Sequence, residues 1–120
     1  MIETVYIYVD GYDLAEISEE LVRRIEKFSE PLGGILRLVD QRGEITSSDL
    51  PSWDLGINFD VNALTDEQAK RVLLFFQSLA QEFSRNFVLG VEQPTGLGED
   101  LFEITATGSI EDAVEFLTSP

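Results

Sequence analysis

Between residues 4 and 9 the chain alternates, with Val5, Ile7 and Val9 set against Thr4, Tyr6 and Tyr8. A period of two is the mark of a strand with one buried face. The period then lengthens. Leu14, Ile17, Leu21, Ile25 and Phe28 recur at helical spacing over residues 14–30, behind Asp13 and Glu16 as a capping pair. Pro31 and Gly33-Gly34 end that helix. Residues 35–39 (ILRLV) read as a second strand. Residues 40–54 are the longest irregular stretch, with Gly43 as a candidate hairpin turn. Leu55, Ile57, Phe59 and Val61 then alternate with Gly56, Asn58 and Asp60, the cleanest strand signal in the chain.

Thr65 and Gln68 form a capping box for a second long helix reaching about Ser84. Its apolar stripe is Ala69, Val72, Leu73, Phe76, Leu79, Ala80 and Phe83. Leu74 and Phe75 widen the stripe, for a broad core contact or for a dimer patch. Residues 87–91 and 101–106 read as two further strands joined by the Pro- and Gly-rich segment EQPTGLGE. Gly108-Ser109 caps a short last helix that turns Ile110, Ala113, Val114 and Leu117 inward. The order β-α-β-β-α-β-β-α predicts an α+β domain, with the split βαβ arrangement of ferredoxin-like folds in its first six elements. Its sheet is expected to be mostly antiparallel with the helices on one face. At 120 residues, with no linker or repeat, a single domain over 1–120 is expected.

Composition narrows the chemistry. There is no Cys and no His, so disulfides, thiolate nucleophiles, histidine bases and the usual zinc sites are excluded. No cofactor or metal is expected. No apolar run is long enough for a membrane span, and MIETVYIYVD lacks the basic and apolar regions of a signal peptide, which makes the cytoplasm the expected location. The net charge of −15 repels nucleic acids and anionic membranes and attracts basic protein surfaces.

The charge is unevenly compensated. Glu19 and Arg23, Glu20 and Arg24, Asp66 and Lys70, and Glu67 and Arg71 stand four residues apart on helices, where such pairs serve local stability. From Asp40 to Asp60 there are five acids against one base, and from Asn86 to Pro120 seven acids and no Lys or Arg. The expected partner-binding surface is Asp40, Glu44, Asp49, Trp53 and Asp54, together with Asp10 and Asp13 at the same end of the sheet. Trp53, beside Leu50 and Pro51, either anchors a partner or closes over the core. Glu92, Glu99, Asp100 and Glu103 form a second candidate surface.

Other readings are weaker. Asp10-Gly11-Tyr12-Asp13 resembles a fragment of a calcium loop without its alternate ligands and closing Glu. Gly96-Leu97-Gly98 lacks the third Gly and the following helix of a phosphate cradle. A carboxylate pair serving a hydrolase rests only on the abundance of acids. Tyr6, Tyr8 and Arg37 share an expected open sheet face, but the surrounding charge has the wrong sign for base stacking. That face is read as sheet packing, or as covered by the last helix or a second copy.

In size, acidity, absence of Cys and His, and lone α/β architecture, the chain resembles the small immunity proteins of bacterial polymorphic and contact-dependent toxin systems. The resemblance implies a binding protein that neutralises a cognate toxin domain, often a basic nuclease, inside the producing cell. It rests on no motif and transfers no residue. The alternative is a homo-oligomeric ferredoxin-like regulatory or scaffold domain.

Overall fold

The computed structural model describes residues 4–9, 17–44, 52–92 and 98–118, with the backbone alone described at 40–44 and 52–54. Five strands, β1 (Thr4–Val9), β2 (Arg37–Glu44), β3 (Ser52–Asp60), β4 (Phe87–Glu92) and β5 (Gly98–Ile104), form one sheet in the order β2-β3-β1-β4-β5. Every neighbouring pair is antiparallel. The helices are α1 (Ser18–Ser29), α2 (Asp66–Phe83) and α3 (Glu111–Thr118). The fold is α+β.

The alternation of β1 fixes the layers. Val5, Ile7 and Val9 stand opposite Phe59, Ile57, Val91, Leu89 and Phe87 on the two neighbouring strands. This row shares one core cluster with Leu21 and Ile25 of α1, Val72, Leu73, Phe76 and Leu79 of α2, and Ala113 of α3. Phe76 meets Phe87 edge-on with ring centroids 5.1 Å apart. Each large side chain buried this way contributes about 1.5–3 kcal/mol.

Helix ends follow the local chemistry. The Thr65 hydroxyl accepts from the Gln68 N–H at 3.2 Å and the Gln68 amide oxygen accepts from the Thr65 N–H at 2.9 Å, which completes the expected capping box. After α1, a 3-10 turn at Glu30–Leu32 closes on Gly33 at φ 64°, where a left-handed backbone favours glycine. Ser109 Oγ accepts from the Glu111 N–H at 3.2 Å and caps α3. Between β5 and α3 the backbone carbonyls lack strand partners. Gln77 Nε2 donates to the Thr105 and Gly108 carbonyls at 3.0 and 2.6 Å, and Gln81 Nε2 to that of Ala106 at 2.8 Å, tying α2 to the turn.

Four expectations are corrected. The stretch 40–54 is not a long loop: β2 runs to Glu44 and β3 begins at Ser52, with Asp40 opposite Leu55, Gln41 opposite Asp54 and Glu44 opposite Ser52. Gly43 therefore lies within a strand, and a register shift between Gln41 and Glu44 absorbs the irregular pattern. Helix α1 starts at Ser18, not at residue 14, and its N-cap Ile17 makes no side-chain cap; the Asp13–Glu16 cap lies outside the described residues. The strand placed at 101–106 is β5 at Gly98–Ile104, so Gly98 and Glu99 belong to a strand. Finally, Arg23 pairs with Glu20, not with the expected Glu19. Glu20 also takes Arg24 Nε at 3.0 Å, because positions three and four residues on lie on one helix face. Arg24 reaches on to Glu82 of α2 through both terminal nitrogens, at 2.9 and 2.5 Å.

The widened stripe of α2 divides. Phe75 packs edge-on against Phe28 of α1 at 4.1 Å and belongs to the core contact, whereas Leu74 is 47% exposed. No helix among the described residues is long and apolar enough to cross a membrane.

Candidate functional site

The residues that alternate with the core row form the other face of the sheet. Thr4, Tyr6 and Tyr8 lie between Asp60, Asn58 and Gly56 on β3 and Glu92, Gly90 and Val88 on β4. Arg37 stands beyond Asn58; Asp100 and Glu103 stand beyond Gly90 and Val88. The described helices bury their apolar stripes on the opposite side.

Tyr6 organises this face. Gly90 offers no side chain, and the Tyr6 ring lies across the space where a Cβ would stand, the close approach that a glycine inside a strand permits. The phenol thereby crosses β4 and donates a short hydrogen bond to Asp100 Oδ1 on β5. Tyr8 stacks beside it, with ring centroids 4.9 Å apart and planes 20° from parallel. Tyr6 is only 9% exposed although it belongs to the face that no described helix covers. Burial, then the Asp100 bond, raise its pKa above the ordinary phenol value.

A raised phenol pKa means that the folded state holds the proton more tightly than the unfolded chain. The associated stability is fully present below the unfolded value of about 10 and declines as pH rises above it. Tyr6 is therefore expected to ionise above the ordinary phenol range. Absorbance titration at alkaline pH checks this: Tyr6→Phe removes a step above that range, and the expectation fails if it removes a step near the ordinary value.

At the other side of the face, Arg37 Nε donates to Asn58 Oδ1 at 2.6 Å and Nη2 to Asp60 Oδ1 at 2.9 Å. Asp60, counted above among the uncompensated acids, thus has a cation. Its partner comes from the neighbouring strand β2, outside the sequence window in which charges were summed.

The two predicted surfaces fare differently. Asp10, Asp13 and Asp49 lie outside the described residues. Asp40, Glu44, Trp53 and Asp54 lie on β2 and β3 instead of a loop, and their side chains lie outside the described atoms. Of the second group, Glu92, Asp100 and Glu103 share the face that no described helix covers. Glu99 stands opposite Val91, in the core-side row, and is separated from them. Glu103 accepts from Asn86 Nδ2 at 2.7 Å. A shallow depression of about 270 Å³ lies beside them, lined by Val88, Asp100, Leu101, Phe102 and Glu103. A second depression, about 510 Å³ at the end of α1, mixes Arg23 and Lys27 with Glu26 and Glu30 and favours neither sign.

Sequence reasoning missed the role of Tyr6 as the link to Asp100. The readable signal was Gly90, a glycine in the middle of an apolar strand. Among the described residues, no group of three or more acids is placed to hold a metal ion. Comparison with protein-family models, with curated proteins and with solved structures found no match.

Proposed function

We propose that this chain is a binding protein that docks on a basic protein partner and neutralises it, acting as an immunity protein against a bacterial toxin domain in the cytoplasm of the producing cell. One observation carries the reading: Glu92, Asp100 and Glu103 of β4 and β5 stand on one sheet face in a segment, 86–120, without any Lys or Arg. By contrast Glu20, Glu67 and Glu82 of the helices are engaged by arginines. Gathering like charges lowers stability through repulsion, and a cationic partner relieves that repulsion on binding. The lack of Cys and His, the small size and the acidity support the immunity class and a non-catalytic role. The same sign of charge argues against nucleic acid and membrane partners. The strand order β2-β3-β1-β4, all antiparallel, supports a ferredoxin-like core to which β5 adds an edge.

The test is coexpression with the products of the reading frames beside its gene. One of them is expected to be toxic alone, harmless with this chain, and recovered in a complex with it. If none binds this protein, the proposal is wrong.

A second reading, a homo-oligomeric domain, draws on the exposed Leu74 of α2 and Phe116 of α3. A charge of −15 per chain opposes self-association. Sedimentation at rising concentration separates the two readings, since a monomer throughout contradicts the second.

A further inference from the structure

The reading of a basic partner leaves open which part of the surface receives it. We infer that the partner docks on the sheet face of β1, β4 and β5 that no described helix covers, with Tyr8 and Val88 at the centre, the buried Tyr6 beneath them as support, and Glu92, Asp100 and Glu103 as the anionic border; this rests on the proposed function and adds its location. The occupant is a protein surface presenting arginine or lysine.

Three features of the face point there. The first is its charge. Three carboxylates lie on one side of the tyrosines, while the cation on the other side, Arg37, is already held by Asn58 and Asp60 and presents little repulsion to an approaching base. The second is its order before binding. Tyr6 is fixed by the stack with Tyr8 and by Asp100, and the same bond holds the Asp100 carboxylate in place. Groups already immobilised lose little entropy on association, which favours an ordered aromatic and carboxylate surface over mobile side chains. The third is its mixed chemistry. An arginine has a planar cation for the carboxylates and the Tyr8 ring, and an apolar stem for Val88 in the depression it shares with Asp100 and Glu103. A second copy of this chain would bring carboxylates onto carboxylates, and a phosphate-bearing ligand would be repelled.

The placement is testable with an arginine-rich peptide as the probe, bound to the full chain at low ionic strength. Two variants carry the same change in net charge. One is E92K/D100N/E103K on the sheet face, in which the amide oxygen introduced at position 100 still accepts from Tyr6. The other is E19K/E26K/E30Q along α1 and the turn after it. The sheet-face variant is expected to weaken binding about tenfold or more, as the loss of several partial ion pairs implies, and the helix variant by clearly less. Amide shifts in the unmodified protein, which do not depend on any variant folding, are expected to be largest on β1, β4 and β5. Equal weakening by both variants, or shifts centred on the helices or on β2 and β3, overturns the placement and leaves the basic-partner reading standing. Absence of any binding by the unmodified protein removes both.

Discussion

Replacing Gly56 with alanine is expected to destabilise the protein by on the order of 4 kcal/mol or more, enough to unfold it in part or entirely. Gly56 lies in β3 opposite Tyr8, and β1 is the central strand of the sheet. A Cβ on Gly56 would overlap the Ile7 carbonyl oxygen and come within 2.9 Å of both the Ile7 carbonyl carbon and the Tyr8 Cα. These are backbone atoms of a strand hydrogen-bonded on both sides, so no side-chain rotation relieves the overlap. Relief needs β1 and β3 to move apart, at the expense of the ladder between them and of the Ile7–Ile57 and Val5–Phe59 contacts in the core row. Urea unfolding measures the loss. Gly98→Ala is the control, since a Cβ there meets nothing closer than 3.7 Å and the change in stability is expected to stay within about 0.5 kcal/mol. A Gly56→Ala protein as stable as that control would contradict the geometry.

Gly90→Ala is the second large effect, and it couples the fold to the candidate site. The new methyl would overlap the Tyr6 phenol and the Glu99 carbonyl oxygen. Tyr6 can swing away only by giving up Asp100 and its place beside Tyr8. The Glu99 carbonyl belongs to β5 and moves only if that strand shifts against β4. A loss of about 2–4 kcal/mol is expected, above what overpacking a yielding site brings. Tyr6→Phe alone, which removes one hydrogen bond, is expected to lose about 1 kcal/mol. Combining Gly90→Ala with Tyr6→Ala relieves the ring overlap but not the carbonyl overlap, so stability should remain below that of Tyr6→Ala alone. Thermal unfolding of the unmodified protein, the two single variants and the double variant decides this. Full recovery of the double variant to the level of Tyr6→Ala would show that the backbone of β5 does not constrain Gly90.

Much of the frame is legible in the residue pattern because the signals are local. Period two in β1 and β3, the helical stripe of α2 and the Thr65–Gln68 box each lie within one element, and each is found where the pattern puts it. The extent of β2 and β3 is not legible in that way. Residues such as Asp40, Gln41, Glu44, Ser52 and Asp54 have poor strand propensity, and it is pairing across the hairpin that holds them extended. Charge compensation fails for the same reason. Helix pairs four residues apart can be counted along the chain, but Arg37–Asp60, Arg24–Glu82 and Tyr6–Asp100 join residues 23, 58 and 94 positions apart. Their existence depends on strand order and helix packing. The candidate face was half visible: Tyr6, Tyr8 and Arg37 fall on one row by alternation, and Glu92, Asp100 and Glu103 by proximity in sequence. That the two groups are one surface follows only from β4 lying between β1 and β5.

The most direct test of the proposed binding role is the association rate of this protein with the toxic product of a reading frame beside its gene, measured by stopped flow as ionic strength is raised. An encounter steered by the acidic sheet face is expected to slow by about one to two orders of magnitude from low to high salt, with a smaller change in the dissociation rate. An association rate indifferent to salt would contradict docking through an anionic surface on a basic partner.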